Sequence, residues 1–438
     1  MQKKLLSRQR PHEQGQTIIL VAISLVSLLA MAALAIDIVT LYVARSEIQR
    51  AADTAALAGA KAIADSGITT LLLTDPTFLT VKPWAQNMKN KQIDAILPND
   101  LVAGQKPTLL SAPVDWTQQG NPHVTVTLQV SLPTFFSKIW GRTTASVTAT
   151  AAAEAYNPAN VPNFTPIAPK AVKPWLVANI DPNHGTAFVD ASGAIELNVI
   201  GETLNLTADC QPGPGCTLLP LGNPPGIGPS NSLPSSYPQV EYVPALVTPN
   251  AGSNVCPTAC LGDTDYERSI ECADVTTSYQ VLSCGGGANN ATWDNSVNPG
   301  GLGGLSDLGA ECLIHATGRE NGKGQDELDP SPWPGNPMKI TAESGPQKDN
   351  LVTTSSSIVT IPIIDRTTFQ ATSPFQVTVV GFLQAFIDEV HGVPPSHQGD
   401  IQIHILNIAG CSTTPNSANP VVGGSGTSPV PVRLITPP

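Results

Sequence analysis

Residues 17 to 36 read TIILVAISLVSLLAMAALAI, twenty positions without a charge or a proline. A helix of that length, rising about 1.5 Å per residue, reaches across the hydrocarbon of a bilayer. After Asp37 the sequence IVTLYVARSEIQRAADTAALAGAKAIADS keeps helix formers, and no Gly or Pro falls between Gln16 and Ala58. One helix is therefore expected to leave the membrane unbroken and to stop at Ser66-Gly67, where glycine ends it. The flanks orient it: Lys3, Lys4, Arg8 and Arg10 against Glu13 give residues 1–16 a net charge of +3. Positive charge before the span predicts a single-pass protein of a bacterial cytoplasmic (inner) membrane. Residues 1–16 are then a cytoplasmic tail, and the body lies in the periplasm or outside. A cleaved secretory signal competes with this reading, because Ala33-Leu34-Ala35 has the small-x-small form of a signal-peptidase site. The apolar run exceeds the roughly 7–15 residues of a signal core, which favours the uncleaved anchor, and both readings export the body.

Past the anchor, Leu41, Ala44, Ile48, Ala51, Ala55, Ala58 and Ala62 form an apolar seam of alternating three- and four-residue spacing. Arg45, Glu47, Arg50, Asp53, Lys61 and Asp65 fall off it. Alanine lets another backbone approach closely and contributes little hydrophobic area of its own. The seam is expected to meet either a protein partner or this chain's own sheet.

The string GQTIILVAISLVSLLAMAALAIDIVTLYVARSEIQRAADTAALAGAKA, residues 15–62, resembles the N-terminal segment of the TadE/TadG-like proteins of the Flp (tight adherence) pilus-assembly system. The likeness rests on the Gly-Gln start, the apolar run, Asp37 at its end, Tyr42, Gln49, Ala51, Ala52-Asp53 and the AALAGA segment. It implies a membrane-anchored role in pilus assembly, with protein partners from that machinery. A processed pilin-like subunit would carry glutamate five residues past its cleavage glycine, and counting from Gly15 that position is Leu20. The resemblance therefore implies a static accessory protein of the TadG kind rather than a polymerising pilin.

The chain has 438 residues, enough for two or three domains. Only 13% are charged and 5% aromatic, with 41 Pro and 36 Gly, which reads as loop-rich β structure rather than a compact α/β enzyme. Net charge is −12, and 15 basic against 29 acidic side chains follow residue 65. An acidic exported body without a Lys/Arg cluster in sequence argues against nucleic acid and against anionic lipid heads. All eight cysteines lie beyond residue 200, an even number in an exported region, which points to disulfides. Cys210 with Cys216 and Cys256 with Cys260 are the local pairs that spacing suggests; the full connectivity stays open.

Residues 68–155 read as a small module. HVTVTLQVSL puts Val124, Val126, Leu128, Val130 and Leu132 on one strand face, PTFFSKIWGR suits a short helix or turn, and Ala145, Val147, Ala149, Ala151 and Ala153 alternate in a second strand. A similar strand, aromatic-rich turn and alanine-rich strand follows the anchor in TadE/TadG-like relatives. Residues 156–174 are a Pro-rich linker. From 175 to 411 a disulfide-rich β domain is expected, its clearest strands in SSSIVTIPIID, FQVTVVGFLQAFIDEV and IQIHILNIAG. Residues 412–438 read as a flexible tail. The fold class is thus α+β: a transmembrane helix (17–36) continuing into an exported helix packed on a β module (37–155), then a mostly-β, irregular sandwich-like distal domain.

No residue is assigned a catalytic, cofactor-binding or metal-ligating role. Asp190-Ala191-Ser192-Gly193 has the beginning of a von Willebrand A metal motif, but Ala194 stands where a second hydroxyl is needed, and a β-turn suits it better. Asp263, Asp265, Glu267, Glu271 and Asp274 lack the glycine and spacing of a calcium loop and read as solvated surface. His391 and His397 flank two prolines that exclude a regular helix aiming both at one metal. Phosphate-loop, nucleophile-elbow and HExxH patterns are missing. The function expected is a non-enzymatic structural or assembly protein of pilus biogenesis; the competing reading is a membrane-tethered hydrolase or glycan-binding module on the same anchor.

Overall fold

The computed structural model describes residues 13–74, 76–117, 121–157, 167–169, 172–191, 193–211, 214–218, 237–247, 264–271, 290–299, 304–316, 322–331, 338–352, 355–391, 400–411, 422–423 and 430–436. Helix α1, Glu13–Asp65, runs unbroken through the apolar stretch and the alanine-rich stretch. It stops at Gly67, whose φ of 71° is the left-handed conformation glycine adopts without strain. Its last carbonyls find partners: Ser66 Oγ donates to Ile63 O at 2.6 Å, and Asn407 Nδ2, far along the chain, donates to Ala64 O at 2.8 Å.

A second helix, α2 (Pro76–Ile96), packs on α1 and had no counterpart in the sequence reading. Phe78, Val81, Ala85, Lys89 and Ile93 make its buried stripe at helical spacing. Pro83 inside it and a lysine on the apolar face disguise the pattern.

Strands β1 (Thr108–Ser111), β2 (Val114–Asp115), β3 (His123–Pro133) and β4 (Thr144–Ala155) form an antiparallel sheet in which β3 carries β1 and β2 on one edge and β4 on the other. Val124, Val126, Leu128, Val130 and Leu132 are buried in alternation along β3, as their spacing predicts. In the α1 seam Ala44, Ile48, Ala51, Ala55 and Ala62 are buried, and Leu41 and Ala58 are half-buried. Ala44, Ile48, Ala51 and Ala55 lie in one core with β3, β4 and α2, and Leu41 packs against it. The seam therefore packs within the chain, and the expectation that it offers a face to another protein gives way to the sheet that occupies it.

The distal body is mostly β, and its principal sheet closes on itself. Its strands are β6 (Trp175–Ala178), β7 (Thr203–Ala208), β10 (Gln239–Pro244), β15 (Ile358–Asp365), β16 (Gln376–His391) and β17 (Asp400–Gly410), and between them in sequence lie the short hairpin strands β8 (Cys210–Gln211) and β9 (Thr217–Leu218), strand β11 (Asn290–Thr292) and the three-stranded sheet β12 (Asp326–Asp329), β13 (Lys339–Ala342) and β14 (Leu351–Val352). The ring runs β16, β15, β6, β10, β7, β17 and back to β16, with β11 on the outer edge of β16. Two pairings, β6 with β15 and β7 with β10, are parallel. Inside lie Trp175, Leu204, Tyr242, Ile361, Leu383 and Ile403, packed with helices α3 (Asp265–Glu271) and α4 (Leu305–Leu313).

Cys210 and Cys216 are bridged, as their spacing suggests. Cys312 and Cys411 each take part in a disulfide, whereas Cys256 and Cys260 lie outside the described residues. Within the Pro-rich stretch β5 (Ile167–Ala168) pairs in parallel with β18 (Val422–Gly423), and both ends of the stretch are tied down. Tyr156 N donates to Pro431 O at 2.9 Å and Lys173 N to Thr360 O at 2.8 Å. Residues 430–435, which composition places in a flexible tail, return to the first sheet: Val430 is buried and β19 (Val432–Ile435) pairs antiparallel with β4. Arg433 pairs there with the buried Glu154, giving that carboxylate a cationic partner. Composition hid this strand because Val-Arg-Leu-Ile is short and sits between prolines.

Candidate functional site

Asp37, the first charge after the apolar run, is buried although Ile36 and Ile38 beside it are exposed. Its carboxylate accepts hydrogen bonds from the backbone N–H of Phe135 at 2.9 Å, Phe136 at 3.1 Å and Ser137 at 2.8 Å, and from Ser137 Oγ at 2.7 Å. Those N–H groups open the 3-10 turn Ser137–Trp140, whose cap residue Phe136 supplies no side-chain acceptor. A carboxylate is the acceptor such a positive end favours, and hydrogen bonds to a charged group are shorter and stronger than neutral ones. A residue on α1 thus caps a turn of the loop between β3 and β4. Thr134 Oγ1 donates to Arg142 O across that loop, and Gly141, at φ 79°, lets the chain turn back.

A second carboxylate acts alike further up α1. Glu47 Oε2 accepts from Ala103 N at 2.7 Å. Ala103 and Gly104 both have positive φ, at 46° and 76°, and form the tight turn closed by Val102 and Gln105. Between the two turns and α1 lies a cavity of about 180 Å³ lined by Asp37, Thr40, Leu41, Gln105, Leu132 and Phe135, among others. Phe135 is 62% exposed, and along α1 Ile38, Val39, Tyr42 and Val43 are exposed as well. The sequence marked Asp37 only as a feature of a resemblance; what it binds lies about a hundred residues away, where no local pattern points.

In the distal body Asp181, His184 and Glu202 bring ligand-type atoms within 4.8 Å of one another. Hydrogen bonds among themselves engage them. His184 Nδ1 is 2.5 Å from Asp181 Oδ2 and 3.1 Å from Glu202 Oε1, and Asn183 Nδ2 donates to Glu202 Oε2 at 2.7 Å. The bond to Asp181 raises the His184 pKa, and burial raises that of Glu202. The cluster closes the 181–186 turn against the residue preceding β7; Glu202 comes from too far along the chain for spacing to have shown it.

Of the patterns singled out in the sequence, Asp190 makes a turn: Gly193 N donates to Asp190 O at 2.9 Å and Ala194 N to Asp190 Oδ1 at 2.9 Å. That turn presses on Gly410, where a Cβ would stand 2.1 Å from Gly193 O. In the acidic cluster, Glu267 and Glu271 are buried on α3 rather than solvated, while Asp263 and Asp274 lie outside the described residues, as does His397. The arrangement at Asp37 positions and clamps; it places the module packed on α1 at a fixed height on its helix. No curated protein and no solved structure matches the chain. Residues 15–62, the stretch of α1 that carries both the apolar run and the buried alanine face, match the family model described as putative Flp pilus-assembly TadE/G-like.

Proposed function

We propose that the chain is an anchored assembly protein of a Flp-type pilus, held in the cytoplasmic membrane by residues 17–36 with its N-terminus inside and its β body outside, and acting by position rather than by catalysis. The observation that carries this reading is that the segment matching the pilus-assembly family is one helix. Its first part exposes Ile18, Leu20, Leu25, Leu28 and Met31. Its second part is enclosed by the exported module. A helix without a break passes any displacement of the anchor directly to the body, so the body is set at a defined place above the membrane for the pilus machinery to meet. Partners engage surfaces other than the alanine seam.

The test is to isolate the protein from its own cell membranes in mild detergent and to identify its N-terminal peptide and its companions by mass spectrometry. Peptides preceding Ala35 together with Flp-pilus secretion components are the expected result. A soluble chain beginning at Ile36 and purifying alone would sink the proposal.

A further inference from the structure

We propose that the exported module also rests on the bilayer that α1 crosses, through the 134–143 loop. Phe135 enters the headgroup boundary, and Lys138 and Arg142 pair with lipid phosphates. This rests on the anchored reading above.

Height is the first argument. Asp37 directly follows the uncharged run and is bonded to the backbone of Phe135, Phe136 and Ser137, so the loop sits where the hydrocarbon ends. Ala33, one turn nearer the membrane on the same face as Asp37, is only 8% exposed although Ala32 and Leu34 beside it are exposed. Protein therefore covers α1 at least one turn, about 6 Å, into the apolar run. The headgroup layer on each side of the hydrocarbon is itself only about 5–7 Å thick. A loop at this height has nowhere to be except in that layer.

Chemistry agrees with height. Phe135 is 62% exposed at the tip, and Tyr42 on α1 is 76% exposed close to the same level. Aromatic rings are enriched where hydrocarbon meets water. The exposed charges on the 134–143 loop, Lys138 and Arg142, are both basic in a chain of net charge −12. Asp37, the carboxylate that meets this loop, is engaged with backbone N–H groups. The sequence reading found no basic cluster and argued against anionic lipid. The 134–143 loop, held at Asp37, places two exposed cations at the end of the module that faces the membrane, which is the sign that phosphate headgroups require.

The experiment uses the full chain reconstituted in vesicles of phosphatidylcholine with phosphatidylglycerol. A nitroxide on a single introduced cysteine is placed at Phe135→Cys, Leu25→Cys or Leu351→Cys, and its collisions with dissolved oxygen and with a water-soluble nickel chelate are compared. Leu25 serves as the buried reference and the exposed distal Leu351 as the aqueous one. The expected result is a ratio of oxygen to nickel collisions at 135 several-fold above that at 351 and below that at 25, falling toward 351 in the double variant K138E/R142E. A probe at 135 as aqueous as the one at 351, with 25 deep in lipid, overturns the seat and leaves the anchor standing. An aqueous probe at 25 overturns the anchored reading and the seat together. A seat unchanged by the double reversal overturns the phosphate contacts assigned to these side chains.

Discussion

Along α1 the large apolar side chains of the first half are outside, and the enclosed face of the second half is mostly alanine. Ile18, Leu20, Ile23 and Leu28 are each more than 60% exposed, whereas Ala44, Ala52, Ala55, Ala56 and Ala60 are fully enclosed. In water alone this would be an inverted protein, since burying a leucine is worth about 1.5–3 kcal/mol and an alanine far less. The two halves face different solvents. Where hydrocarbon is the surroundings, Leu and Ile lose nothing by exposure, and no driving force gathers them. Where water is the surroundings, alanine's value is its small size, which lets β3, β4 and α2 come within contact distance of the helix backbone. Hydrophobicity by itself does not say which part of this helix is core.

The difference between the halves can be broken from either side. A charge in the outer half has the largest expected effect: Leu25→Arg should cost about 3 kcal/mol of insertion. It should lower the membrane-bound fraction on fractionation of cells, where the same change on a water-exposed helix face would do little. Enlarging the inner half comes next. Ala52→Leu should overpack the enclosed face by about 2 kcal/mol and lower the melting temperature of the module packed on α1. Ala32→Leu, in the exposed half, should leave that temperature unchanged. At the junction, Asp37→Ala removes the acceptor for four donors and should loosen the loop, with amide exchange there about tenfold faster. Faster amide exchange at Phe135 to Ser137 is the readout, with the helix retained.

The smallest effect is a pH dependence confined to the inner half. Lys89 is buried on α2, where a Cβ built on Gly59 of α1 would stand 3.2 Å from its Cγ, and its ammonium donates to Ala112 O. Burial pushes its pKa below the ordinary lysine value. Between that lowered value and the unfolded value near about 10.4 the folded state binds fewer protons than the unfolded one, so stability rises with pH across this window and is flat below it. Melting in detergent at increasing alkaline pH should show the rise in the native chain and lose it in Lys89→Met. The lipid-facing run from 17 to 36 contains no titratable group and should contribute nothing.

What was legible in the sequence was local. The twenty-residue run, the helix continuing past it, the stop at Gly67, the alternation along β3 and the turn that closes at Gly141 all depend on residues close in the chain. Proximity of Cys210 and Cys216 made their bridge readable for the same reason. Helix α2 was legible in principle, since Phe78, Val81, Ala85, Lys89 and Ile93 fall on one face. Pro83 and the buried lysine contradict that stripe, and local contradictions of this kind are resolved only by packing.

The sequence by itself determined that this protein has one long helix with an apolar half and an alanine half, followed by β structure in an acidic, disulfide-bonded body. Periodicity and solvent transfer suffice for that, because each residue's preference acts on its own turn or its own strand face. Only the tertiary structure decided which surface takes up the alanine seam and that the ring of distal strands closes through β16 and β17. It also decided that β19 returns to pair with β4 and that Asp37 clasps the 134–143 loop. These contacts join positions scores to hundreds of residues apart. Their energies arise from close approach and shared hydrogen bonds that exist only once the chain has folded, and so leave no mark on local pattern.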